Sequence, residues 1–185
     1  SDGNTLAIGA VSNDGNGTWS GHVRVFENLG GSWTQIGQDI DGEAAYDWSG
    51  SSVSLSADGS TVAIGARNND GNGVDAGHVR IYNYNNGSWS QLGQDIDGEA
   101  AGDYSGRVSL NSNGNTVAIG APHNDGNGSN SGHVRVFKNL GSSWSQIGQD
   151  IDGEAAGDES GQTVSLSSDG NTLAIGAVSN DGNGT

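Results

Sequence analysis

The same 18 residues, SDGNTLAIGAVSNDGNGT, stand at Ser1–Thr18 and again at Ser168–Thr185. Further copies of the theme lie between them. Asp2, Asp58, Asn113 and Asp169 hold one repeat position, spaced 56, 55 and 56 residues apart. A period of this length signals stacked supersecondary units, none able to bury its apolar surface alone. Residues 1–185 read as a single repeat domain, with repeats starting near 1, 57 and 112 and a partial fourth from 168.

Each period holds four short runs of β type. Thr5–Ala10 (TLAIGA) is almost continuously apolar, as expected of a strand covered on both faces. His22–Phe26 (HVRVF) alternates, with Val23 and Val25 on one face and His22, Arg24 and Phe26 on the other. Trp33–Ile36 follows a turn at Asn28–Ser32, and a polar, acidic connection runs from Gln38 to Gly50. Ser52–Ser56 (SVSLS) alternates again, and Asp58-Gly59 turns the chain back into TVAIGA. No segment carries a helical period. Four short strands per repeat with β-turn chemistry between them predict an all-β chain, a β-propeller of four-stranded blades of about 56 residues, three blade equivalents in all. A β-trefoil usually has shorter repeats. A parallel β-roll needs a period near nine, whereas NDGNG occurs once per period.

Composition narrows the partners. Hydrophobic residues make up only 31%, close to the range of disorder, but their regular placement argues for a packed fold. A net charge of −16 opposes contact with nucleic acid or anionic lipid. The absence of cysteine removes disulfides, thiolate metal sites and cysteine nucleophiles. No stretch approaches the roughly 20 apolar residues that span a bilayer, so membrane insertion is not expected. The chain has no Met and starts inside a repeat. It reads as a processed product or a piece of a longer array, so a missing targeting signal carries no weight.

The run SVSLSADGSTVAIGA…NDGNG…GHVRIY at Ser52–Tyr82 resembles an FG-GAP repeat, the blade unit of integrin-α-like propellers. Gly120-Ala121-Pro122 reproduces the GAP element; Gly9-Ala10, Gly65-Ala66 and Gly176-Ala177 keep its first two residues. Ser49-Gly50, Ser105-Gly106 and Ser160-Gly161 keep the Gly of the FG element and replace its Phe. The repeats look closest to divergent bacterial and environmental members. The resemblance implies a propeller, often seven-bladed, used for adhesion or ligand binding at the cell surface or outside the cell. Many members hold calcium in a DxDxDG-type loop. The matching loop here, Ser56–Thr61, has one carboxylate, Asp58, and Asn113 replaces it in the next copy, so that site is not carried over.

Four repeated features are candidates for chemistry. An acidic cluster comprises Asp39, Asp41, Glu43 and Asp47, repeated as Asp95, Asp97, Glu99 and Asp103 and as Asp150, Asp152, Glu154 and Asp158. Its spacing is partly that of a calcium loop, so these are the candidate calcium ligands. The competing reading is a solvated connection whose Asp side chains cap turns. The NDGNG loop could offer oxygens to a cation or backbone to a sugar, or serve as turn chemistry. His22, His78 and His133 each stand two residues before an Arg; they could line an anion site or a metal ring, or form structural pairs in which the Arg meets a repeated Asp. Trp33, Trp89 and Trp144 either stack on sugars from exposed loops or pack between sheets.

No nucleophile motif or phosphate loop is present. Departures from symmetry are few: Trp19, Val74 and Ser129 after the NDGNG loop, Arg67 and His123 near a second position, and Trp48, Tyr104 and Glu159 at a third. The expected function is therefore non-catalytic: adhesion or recognition of a protein or glycan through repeated rim loops. An architectural self-assembling module is the alternative, and a fragment of a glycan-active propeller enzyme the third reading. The chain starts and ends at the same blade phase, so a homodimer exchanging terminal strands would close a six-bladed ring, with Thr5–Ala10 and Thr172–Ala177 competing for one slot.

Overall fold

The computed structural model describes residues 3–182. Asp2, and Asn183 and Gly184 at the end of the fourth NDGNG loop, lie outside the described residues. No helix occurs among those described, and the strands group into blades that follow the repeats. The first blade holds β1 (Thr5–Ala10), β2 (His22–Leu29), β3 (Ser32–Gln35) and β4 (Ile40–Asp41). The second holds β5 (Ser49–Leu55), β6 (Thr61–Ala66), β7 (His78–Asn85), β8 (Ser88–Gln91) and β9 (Ile96–Asp97). The third holds β10 (Arg107–Leu110), β11 (Thr116–Ala121), β12 (His133–Asn139), β13 (Trp144–Gln146) and β14 (Ile151–Asp152). A two-stranded start of a fourth, β15 (Ser160–Leu166) and β16 (Leu173–Ala177), follows.

The two complete blades are antiparallel meanders, β5-β6-β7-β8 and β10-β11-β12-β13. The fourth strand is split: β8 pairs the far half of β7, and the short β9 pairs the near half, His78 opposite Asp97 and Val79 opposite Ile96. The sequence reading took this second piece for loop, because two residues between glycines carry no periodicity. Gly93, at φ 82, breaks the strand between the halves.

The core lies between blades. Val23, Val25 and Ile40 of the first pack with Val62, Ile64 and Trp89 of the second. Ala63, Val79, Ile81 and Ile96 of the second pack with Val108, Val117, Ile119, Phe137 and Trp144 of the third. β6 and β11 are buried at every residue, as a doubly covered strand should be. β1, with the same pattern, leaves Leu6 and Ile8 exposed because no blade covers its outer side.

Specific contacts hold the blades in register. The innermost strands are linked by serine: the N–H groups of Val108 and Leu110 donate to Ser52 and Ser54 Oγ at 3.1 and 2.9 Å, and Leu166 N–H donates to Ser109 Oγ at 2.9 Å. The alternating serines of SVSLS are therefore blade-to-blade acceptors. Trp89 reaches back one blade, its indole N–H donating to Ile36 O at 3.0 Å while the Gln38 amide pairs with the Trp89 backbone. Trp144 repeats this on Leu92 and Gln94. Packing is thus the role of these two tryptophans. Trp33, in the first blade, is 47% exposed.

Candidate functional site

The acidic cluster does not form one loop site; the structure distributes it over three tasks. Asp47, Asp103 and Asp158 are buried, and each accepts a hydrogen bond from the first Asn of the following NDGNG loop: Asn69, Asn124 and Asn180, at 2.9, 3.0 and 2.9 Å. Asp41, Asp97 and Asp152 sit in the short outer strands. Asp39, Asp95 and Asp150 approach the repeated histidines, at 3.6, 3.8 and 4.0 Å from Nδ1. Glu43 and Glu99 reach the histidine of the next blade at 3.7 and 3.8 Å. Glu154 is exposed; its backbone carbonyl accepts from Asn127.

The NDGNG side chains turn inward onto the fold. Asp14, Asp70 and Asp125 cap their own loops by accepting from the N–H of residues 19, 75 and 130 at 2.8 Å. The second Asn of each loop donates to the backbone of its own acidic connection. The loops are turn and docking chemistry. The three histidines stand at separate positions along the blade series. Arg80 and Arg135 meet Glu43 and Glu99, each at 3.4 Å, where the sequence reading expected an Asp. Burial, then the charge of Arg80 or Arg135, lowers the pKa of His78 and His133 below the ordinary imidazole value against the opposing pull of nearby carboxylates.

The few residues that break the repeat come together. Trp48, Arg67, Asn68, Tyr104, Arg107, Pro122, His123 and Gln162 line a cavity of about 330 Å³ on the rim where first strands begin and second strands end. An adjoining cavity of about 240 Å³ shares Arg107 and Gln162. The 55-residue period has its cause here. One residue is missing between Gly106 and Val108, so β10 lacks the irregularity that β5 and β15 carry at Ser49/Ser52 and Ser160/Thr163, and Arg107 opens the strand.

This cavity is electropositive in a strongly acidic chain. The Arg67 guanidinium lies 4.7 Å from the Trp48 ring centroid. Its Nε is buried without a partner, as is Asn68 Oδ1. Arg107 Nε donates to Gln162 Oε1 at 2.9 Å. Burial and the Arg67 charge both lower the pKa of Arg107. Among the described residues neither arginine has a carboxylate within 4.0 Å, unlike Arg80 and Arg135, and none lines the cavity. Tyr104 packs edge-on to His123 at 4.9 Å and donates to Asp75 Oδ2 at 3.3 Å; burial and the Asp75 charge raise its phenol pKa. Beside the cavity, Trp19 stacks edge-on against Tyr46 and Trp48 at 5.8 and 6.4 Å. The sequence reading named Trp48, Arg67, Tyr104 and His123 as departures from symmetry and saw no set in them. It counted Arg67 and Arg107 among the few cations outside the repeated position and expected no basic patch, whereas the structure brings these two to one cavity.

Residues 40–82, from β4 through β7, match the family model of the FG-GAP repeat. That segment is therefore similar to an FG-GAP repeat, and the same sequence pattern recurs in the other periods. No curated protein matches the chain. Among solved structures it is similar to a periplasmic gluconolactonase of Pseudomonas aeruginosa, at 16% identity and a TM-score of 0.58, over 93% of this chain and 46% of that one. Two Bacteroides proteins provisionally named as 6-phosphogluconolactonases are similar too. The one from B. fragilis gives 17% identity and a TM-score of 0.56 over 83% of this chain and 37% of that one. The one from B. uniformis gives 12% and 0.59 over 92% and 47%. These likenesses support the propeller fold, and the chain spans less than half the length of each of the three.

Proposed function

We propose that this FG-GAP-repeat propeller is a non-catalytic recognition module, and that its binding site is the asymmetric rim cavity, which takes a small anionic ligand with a flat or sugar-like body. The observation that carries the reading is the convergence of Arg67 and Arg107, unpaired with any carboxylate, in a chain of net charge −16. A guanidinium fork matches carboxylate or phosphate, and the Trp48 and Tyr104 rings offer faces on which a ring can stack. The aromatic group of Trp19 and Tyr46 extends this surface along the rim. The repeated loops frame the site rather than binding through their own side chains. The FG-GAP resemblance supports an extracellular or cell-surface setting, and the two arginines support a glycan or protein that presents an acidic group.

The test is calorimetry or saturation-transfer NMR with gluconate, glucuronate and 6-phosphogluconate against neutral glucose. Binding of the acids and not of glucose is expected, with Arg67→Gln and Arg107→Gln each weakening it at least about tenfold, the loss of one charge-assisted contact. Equal binding of glucose, or affinity unchanged in both variants, would overturn the reading. A second reading rests on His123, an imidazole beside two cations that could stabilise an oxyanion, in a fold shared with lactonases. Hydrolysis of a sugar lactone above the buffer rate, lost in His123→Ala, would establish it in place of the non-catalytic one.

A further inference from the structure

The two complete blade junctions each hold a Glu–His–Asp triad with the same internal geometry. At the first, Glu43 comes from the connection leaving blade one, and His78 and Asp95 come from blade two. At the second, Glu99, His133 and Asp150 repeat the arrangement one blade on. His78 Nδ1 lies 3.7 Å from Glu43 Oε2 and 3.8 Å from Asp95 Oδ2; His133 Nδ1 lies 3.8 and 4.0 Å from its pair. These separations are too long for hydrogen bonds. Both histidines are buried, with 1% of each residue exposed. His133 Nε2 is buried with no partner, so the polar surroundings of that ring lie on its Nδ1 side.

The outer partners are what separate this from a chance meeting of acids. Each carboxylate has one oxygen engaged from behind. Arg80 and Arg135 approach Oε1 of Glu43 and Glu99 at 3.4 Å and are themselves fixed to the Asp41 and Asp97 carbonyls at 2.8 and 2.7 Å. Gln91 and Gln146 donate to Oδ1 of Asp95 and Asp150. The remaining oxygens, Oε2 and Oδ2, are the ones that face Nδ1. One nitrogen and two oxygens, the oxygens belonging to carboxylates held from behind by an arginine or a glutamine, form a ligand set for a borderline divalent ion. Around zinc, donors at about 2.0–2.1 Å stand roughly 3.3–3.4 Å apart. Closure therefore asks the nitrogen–oxygen separations to shorten by about 0.3 to 0.7 Å, and the two carboxylates, whose oxygens lie within 4.8 Å of each other, to draw together as well. Calcium wants six to eight oxygens and suits this set poorly.

We propose that each triad binds a zinc-class divalent cation that staples adjacent blades, two ions among the described residues. The first blade supplies the internal control. His22 has Asp39 at 3.6 Å, with its outer Gln35 in place, and among the described residues no second carboxylate joins them, so it is half a site.

The test is titration of the chelator-stripped protein with Zn²⁺. Two equivalents are expected per chain at concentrations where it is monomeric, with a rise in melting temperature. Glu43→Gln and Glu99→Gln change exposed side chains and leave the core intact; each is expected to weaken one site at least about tenfold, and the double variant both. His78→Gln/His133→Gln should abolish binding, and a hundredfold excess of Ca²⁺ should not displace Zn²⁺. Tetrahedral-intensity absorption from Co²⁺ in the native protein, absent from the Glu double variant, reads the same sites independently. Absence of Zn²⁺ binding, a stoichiometry unchanged in the folded Glu double variant, or equal competition by Ca²⁺ would overturn the proposal.

Discussion

Tyr46 holds a left-handed backbone at φ 71, where the next two repeats place Gly102 and Gly157 at φ 85 and 86. An L residue in that conformation costs roughly 1–2 kcal/mol, and a bulky exposed one gains nothing back from the core. Tyr46 is 57% exposed and its ring contacts Trp19. Strain retained at a surface position where the repeat itself offers glycine points to selection for the side chain. Tyr46→Gly is therefore expected to raise stability by about 1 kcal/mol in a denaturant titration and to weaken anionic-ligand binding. A stability loss would show the tyrosine to be structural. The same backbone recurs at Trp48, Tyr104 and Glu159, at φ 57, 52 and 54. It sets the rings of the first two at the cavity wall.

At the scale of the strand, the glycine of each GA pair explains why the repeat is written as it is. A Cβ on Gly65 would stand 1.9 Å from Gly106 O of the next blade; Gly9 meets Gly50 O, and Gly120 meets Gly161 O, in the same way. The Gly retained from GAP thus touches the Gly retained from FG one blade on, backbone against backbone. Gly65→Ala has no flexible side chain to push aside, so it must part blades two and three. A loss of about 3 kcal/mol is expected, the upper range of overpacking, measurable as a fall in the denaturant midpoint. A near-neutral result would mean that the strands separate without cost. Much of this was legible in the sequence, because strand pattern, turn chemistry and period are local and repeated. The strand β1 was located to the residue, and the three-blade phase follows from the spacing. Less legible was anything that depends on which blade faces which. The triads join residues 34 to 52 positions apart across a junction, and β4, β9 and β14 are too short to show a period. The cavity is made of exceptions to the repeat, and only folding shows that Trp48, Arg67 and Arg107 meet.

For the whole molecule, the uneven burial of equivalent residues matters most. Trp89 and Trp144 are 4% exposed, while Trp33 is 47% exposed; Ile40 and Ile96 are 4% and 5% exposed, while Ile151 is 43%. Trp33 stands on the side of blade one that a preceding blade covers elsewhere, and Ile151 on the side of blade three that a following blade covers. The two open faces are complementary, because within the chain the same surfaces already pack on each other twice. Such a contact is heterologous and closes only if the rotation returns to its start. Within one chain the first and last sheets stay separate: β1 pairs β2, and β16 pairs β15. For the 185-residue chain in solution we expect head-to-tail association, with β15 of one copy supplying the first strand that blade one lacks in the other. That docking leaves β1 and the partner's β16 competing for one second-strand position, so one of them must be displaced and lose amide protection. Light scattering should give a multiple of 18.6 kDa that falls on dilution. Trp33→Ala should shift it to the single-chain mass, since its equivalents anchor to the neighbouring blade through the indole N–H. A folded single-chain mass at every concentration, with Trp33 fluorescence remaining that of an exposed indole, would show that the open faces are stable as they are.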